Sequence, residues 1–182
     1  MSKKLIIIAA FALPLMWTAC GDPEEKVVVE DVIPKGMRAV VLDGMGLPVK
    51  VNSPDSVSGI LDTMMTPNGA RVHVGSNFDI LVNLGGAEES DLAAVKSLIE
   101  ATDAGTSTFT VNDATTLVWE TKFGDLSMFH FYTLVKVGND TYYVRDNAFE
   151  PNNQFKKEDV DRMLEAAKSV RASKAPAAEP EA

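Results

Sequence analysis

Three runs of alternating residues follow one another between positions 117 and 146, separated by breaks too short for anything but tight turns. Leu117 to Phe123, Met128 to Val137 and Thr141 to Asp146 read as strands, with Gly124-Asp125 and Gly138-Asn139-Asp140 as the turns. Strands joined this closely lie antiparallel, so the second half of the chain is predicted to be a β-meander. In the middle strand Phe129, Phe131, Thr133, Val135 and Val137 share one face, and Met128, His130, Tyr132, Leu134 and Lys136 share the other. The second face is too apolar to be left in water. The pattern therefore predicts cover on both sides of the sheet, or a partner on that face.

Upstream, Ala39 to Leu42 and Pro48 to Asn52 form a predicted hairpin across Asp43-Gly44-Met45-Gly46. Ser56 to Thr66, apolar at Ile60, Leu61, Met64 and Met65, fits a short helix or a covering loop ended by Pro67-Asn68-Gly69. Arg71 to Val74 and Phe78 to Leu84 are strands joined by Gly75-Ser76-Asn77, with Phe78, Ile80, Val82 and Leu84 on one face. From Glu88 to Thr102 the spacing becomes helical, with Leu92, Val95 and Ile99 on one stripe, Glu88, Glu89 and Asp91 in the first turn and Gly105 as terminator. A second amphipathic helix is predicted over Glu158 to Arg171, burying Val160, Met163, Leu164, Ala167 and Val170. Strands, helix, strands, helix is the order of an α+β fold. It predicts one antiparallel sheet of about six to seven strands flanked by helices.

The N-terminus carries a different kind of signal. Cys20 is the only cysteine of the 182 residues, and it follows Lys3 and Lys4, the apolar run Leu5 to Trp17 and the small residues Thr18 and Ala19. This arrangement predicts a bacterial lipoprotein signal peptide over 1–19, cleaved to leave Cys20 as a lipidated N-terminus. The apolar run falls short of the roughly 20 residues a membrane-spanning helix needs. Thr18-Ala19 would also suit cleavage as an ordinary secretory signal, and Trp17 stands where lipoprotein signals usually carry Leu, Val or Ile. Residues 20–36 then read as the lipidated cysteine and a flexible acidic tether, 37–171 as a single domain, and 172–182 as a disordered Ala/Pro/Glu tail. The predicted location is the cell envelope, anchored by acyl chains to a membrane, on its periplasmic or surface side.

Removing residues 1–19 takes two lysines and no acid, leaving 15 basic against 26 acidic side chains, a net charge of −11. Nucleic acid is excluded as a partner on that charge, and contact with anionic lipid headgroups must come from the acyl chains. With its one cysteine spent on the anchor, the domain has no disulfide and depends on packing.

Motifs of chemistry are sparse. His73 and His130 both lie in predicted strands, and a metal site would need them to meet carboxylates such as Asp79 or Glu120, but no ligand pair shows diagnostic spacing. No Gly-x-Ser-x-Gly occurs. Gly44-x-Gly46 and Gly85-Gly86 lack the residues that complete a phosphate-binding loop, and the paired carboxylates Glu88-Glu89 and Glu158-Asp159 sit where the helix dipole favours negative charge. The expectation is a protein with no catalytic residues, no metal and no cofactor. The one grouping suited to binding is the second face of the middle meander strand. There Met128, His130 and Tyr132 are expected to be joined at neighbouring strand ends by Glu120 and Arg145 as an apolar surface edged by polar groups.

A resemblance covers roughly residues 39–171. Leu117-Val118-Trp119-Glu120, Phe129-His130-Phe131, Val135-Lys136-Val137-Gly138, Tyr142, Asp146, Glu158-Asp159-Val160 and Met163-Leu164-Glu165-Ala166-Ala167-Lys168 are similar to small bacterial lipoproteins of the PsbP-like and DcrB-type group. Acidic residues just after Cys20 also resemble surface-export signals of Bacteroidetes lipoproteins. The group resemblance implies an antiparallel sheet sandwiched by helices in an α/β/α arrangement, and an accessory or binding role without catalysis. Anchor, resemblance and missing motifs together predict a non-catalytic module for a membrane or periplasmic protein partner. A small-ligand carrier is the alternative, and an enzyme whose site is built from Asp and Tyr residues is the third class.

Overall fold

The computed structural model describes residues 32–102, 105–148 and 154–174. The expected signal peptide, Cys20, most of the expected tether and the expected tail from residue 175 lie outside the described residues. Among those described, no helix is long and apolar enough to cross a membrane.

The chain is α+β and mostly sheet. Its order is β1 (Met37–Val41), a 3₁₀ turn (Asp43–Met45), β2 (Val49–Pro54), β3 (Leu61–Thr66), β4 (Gly69–Val74), β5 (Asp79–Leu84) and α1 (Leu92–Glu100). Then come β6 (Thr106–Asn112), β7 (Thr116–Phe123), β8 (Leu126–Val137), β9 (Asp140–Asp146), α2 (Lys157–Ala167) and β10 (Arg171–Ala172). Seven strands form one antiparallel sheet in the order β3-β4-β5-β9-β8-β7-β6, and β1-β2-β10 form a second, small one.

The meander β7–β8–β9 and the hairpins β1–β2 and β4–β5 follow the predicted pattern. Four differences have physical causes. The expected antiparallel sheet of about six to seven strands is present with seven, but the β1–β2 hairpin lies outside it in a second sheet, since among the described residues β2 pairs only with β1 and β10. Ser56 to Thr66 holds neither helix nor covering loop but the edge strand β3, whose middle four residues are exposed; a strand wet on both faces shows no apolar alternation. β6, a threonine-rich edge strand, escapes a pattern search for the same reason. The C-terminal helix stops at Ala167, and Arg171 joins β10 opposite Lys50 instead of prolonging the helix.

The main core lies between one face of the large sheet and the layer made by the small sheet and α2. Val72, Ile80, Val82, Phe131 and Val144 meet Val49, Val51, Val160, Met163 and Ala167 there. On the opposite face α1 sets Leu92, Val95 and Ile99 over a second cluster centred on Leu117, Tyr132 and Tyr143. Asp91 caps α1, its carboxylate accepting the N–H groups of Ala93 (3.0 Å) and Ala94 (3.2 Å). At α2 the Asp159 carboxylate accepts the Lys156 N–H at 3.2 Å and an Arg162 N–H at 2.6 Å.

Candidate functional site

Directly opposed residues of antiparallel strands share a face, so the register sorts the expected binding group. Trp119 is opposite His130, Thr121 opposite Met128 and Tyr132 opposite Arg145, which places Met128, His130, Tyr132 and Arg145 together on the α1 side. Glu120 is opposite Phe129, whose side chain packs on the main core, so Glu120 belongs to the other face and does not join the group. Its neighbour is Lys122, with Nζ 3.6 Å from Oε1. Trp119 stands where Glu120 was expected. Its ring stacks on the His130 imidazole with centroids 5.2 Å apart.

Tyr132 serves packing. Its ring stacks on Tyr143 at 5.5 Å and 10°, and its hydroxyl donates to the Glu89 carbonyl at 2.8 Å, tying β8 to the turn before α1. Burial pushes the phenol's pKa well above the usual tyrosine range, with the Tyr143 and Glu89 charges adding to the effect. The predicted cover on this face is thus α1, over the β6 to β9 half.

Beyond α1, toward β4 and β5, the same face turns polar. Both histidines of the chain rest against buried aspartates. His130 Nδ1 is 3.0 Å from Asp146 Oδ2, while Asp146 Oδ1 accepts the Phe131 N–H at 2.8 Å. His73 Nδ1 is 3.4 Å from Asp79 Oδ2. Asp79 also receives Arg71 Nε at 2.9 and 3.0 Å on its two oxygens, the Arg71 Nη2, and Asn147 Nδ2 at 3.2 Å. Asn147 closes the chain of contacts through its backbone, its N–H donating to the Asp79 carbonyl at 3.0 Å. Two groupings result, linked by Asn147: Arg71 and His73 of β4 meet at Asp79 of β5, and His130 of β8 meets Asp146 of β9, which lies opposite Ile80.

This arrangement was only partly visible beforehand. Asp79 is named from the sequence as a carboxylate for the histidines to meet, whereas Asp146 is singled out only among the residues of the resemblance and Asn147 not at all. Chemically the grouping holds two buried carboxylates whose oxygens accept from guanidinium, amide and backbone N–H donors. Among the described residues no group of three His, Cys, Asp or Glu side chains is arranged to hold a metal.

A second feature of the large sheet is the contrast between its edges. β6 carries a register break between Phe109 and Val111 and is partly covered by α1. β3 pairs with β4 without interruption over all six residues and exposes Met64 (47%) and Met65 (53%), with Ile60 (87%) and Val57 (92%) on the segment leading into it. A regular strand edge with an apolar border is a template for another strand, and proteins ordinarily blunt such edges with bulges, lysines or prolines. No family model, curated protein or solved structure matches the chain, so the similarity to PsbP-like and DcrB-type lipoproteins rests on the residues quoted for it alone.

Proposed function

We propose that the chain is a non-catalytic, lipid-anchored cell-envelope module that binds a protein partner by adding an extended segment of that partner to the β3 edge. The observation that carries this reading is the uninterrupted, exposed β3 bordered by Val57, Ile60, Met64 and Met65. In strand addition the main chain supplies affinity and the flanking side chains supply selectivity, and methionine adapts to many partners. The aspartate–histidine cluster is read as a structural support that fixes β4, β5, β8 and β9 behind this edge.

Two variants test the two halves of the proposal in cross-linked membranes. Met64→Lys with Met65→Lys alters only exposed side chains, leaves the thermal midpoint within a few degrees, and abolishes capture of the membrane partner; unchanged capture removes β3 as the docking edge. Cys20→Ala releases the protein into the soluble fraction after cell lysis. If that variant stays with the membranes, the lipid anchor is wrong.

A further inference from the structure

A groove of about 610 Å³ opens on the opposite side of the molecule from α1. The connection between β1 and β2 forms one wall with Asp43, Gly46 and Pro48, and the β8–β9 turn forms another with Val137, Gly138 and Asp140. Tyr142 and the segment Ala172 to Lys174, which begins with the last residue of β10, complete it. Its volume falls within the range of small-molecule sites, which run from roughly 300 to 1,000 Å³.

Two independent features point to an occupant. The first is charge: Asp43 and Asp140, from two different connections, share the lining with Pro48, Val137 and Ala172, and Lys174 is the one cationic side chain among the described lining residues. The second is Tyr142. Its residue is 98% buried, it lines the groove, and its hydroxyl has no hydrogen-bond partner among the described residues. That hydroxyl is not fully enclosed, and the residue forms part of the groove's lining. A tyrosine sunk this deep ordinarily finds a partner for its hydroxyl. Desolvation, and then the Asp140 carboxylate, raise the phenol's pKa, which keeps it a neutral donor and acceptor.

We infer that this groove binds an organic cation with an apolar stem, a primary amine whose charged head lies between Asp43 and Asp140 and hydrogen-bonds to the Tyr142 hydroxyl. The stem lies on Pro48, Val137 and Ala172. The same chemistry is offered by a free alkylamine and by a lysine side chain carried on a peptide. The site is separate from the β3 edge, so either can fail without the other.

The test uses ¹⁵N-labelled protein from Gly21 to Ala182, which keeps every described residue, titrated with hexylammonium, hexanol and hexanoate. Hexylammonium is expected to give saturable shifts of the Gly46, Gly138 and Ser173 amides, with hexanol and hexanoate weaker by about tenfold or more. Tyr142→Phe, which removes one oxygen and keeps the ring, weakens hexylammonium about three- to tenfold, as loss of one hydrogen bond predicts. Asp140→Asn, on an exposed turn, weakens it again. A parallel titration with an acetylated Leu-Lys-Leu amide separates the two sources: tighter binding of the peptide assigns a chain-borne lysine, tighter binding of the amine a free ligand. Absence of saturable shifts, an equal response to hexanoate or hexanol, or wild-type binding by Tyr142→Phe overturns the inference.

Discussion

Replacing Asp79 by alanine removes a carboxylate that is fully buried and holds Arg71 through both of its oxygens, with His73 and Asn147 on the same group. The guanidinium left behind keeps its charge in a site where its side chain is 17% exposed, too little for water to replace the lost partner. Breaking a buried ion pair from one side costs about 3–5 kcal/mol, and the partial exposure of Arg71 sets the expectation at the lower end, about 3 kcal/mol. For a domain of this size that lowers the thermal midpoint by about 10 °C. Urea denaturation of Asp79→Ala, Arg71→Met and the double variant Arg71→Met/Asp79→Leu measures it, with the slope of free energy against urea checked for constancy. Each single change is expected to cost about 3 kcal/mol. The double variant should cost no more than either alone, since no unpaired charge remains and the two apolar side chains fill the space. An Asp79→Ala variant within about 1 kcal/mol of the parent, or a double variant as costly as both singles added, would refute the claim that this pair is held desolvated.

Alkaline pH offers a second test. Tyr132 ionises near pH 10 when unfolded and at higher pH when folded, so its contribution to stability is complete below pH 10 and declines as the pH rises above it. Chemical denaturation between pH 9 and 11 should show this decline, and Tyr132→Phe should make it shallower while costing about 1 kcal/mol at pH 7 through the lost bond to Glu89. Gly69 opens β4 at φ +122°, where a Cβ would lie 2.6 Å from the Val82 carbonyl oxygen. Gly69→Ala is expected to cost about 2 kcal/mol or more, whereas Gly124→Asn, at φ +60° with open space around it, should cost under about 1 kcal/mol; equal losses in urea melts would show that close approach is not the cause.

Which elements could be read in advance follows from what each one buries. The meander was legible because Phe131, Val135 and Tyr132, Leu134 pack on opposite clusters, and alternation records that division. α2 was legible because Val160, Met163, Leu164 and Ala167 are all buried on one stripe. β3 and β6 bury little, so no period was imposed on their sequences, and the apolar residues of β3 mimicked a helix. The candidate site failed at register: a shift of one position along β7 exchanges Glu120 for Trp119, and spacing alone does not fix which residue opposes His130. The contact of Asp146 with His130 was hidden for another reason. An aspartate at a strand end reads as the start of a turn, and only the tertiary packing brings His130 onto it.

The small sheet has a consequence for the order of assembly. β10 supplies only two residues, yet it closes the third strand of a sheet whose other members lie near the beginning of the chain, and the Arg171 to Asn52 bond spans 119 positions. Ser169 reaches the Asn52 N–H across a similar interval, 2.7 Å away. Contacts this distant must await closure of nearly the whole chain, and such closure is entropically slow. A chain emerging from its N-terminus therefore makes β1 and β2 early but completes their sheet only after α2 has formed. Late protection of the Asn52 amide in pulsed hydrogen exchange would mark that final step.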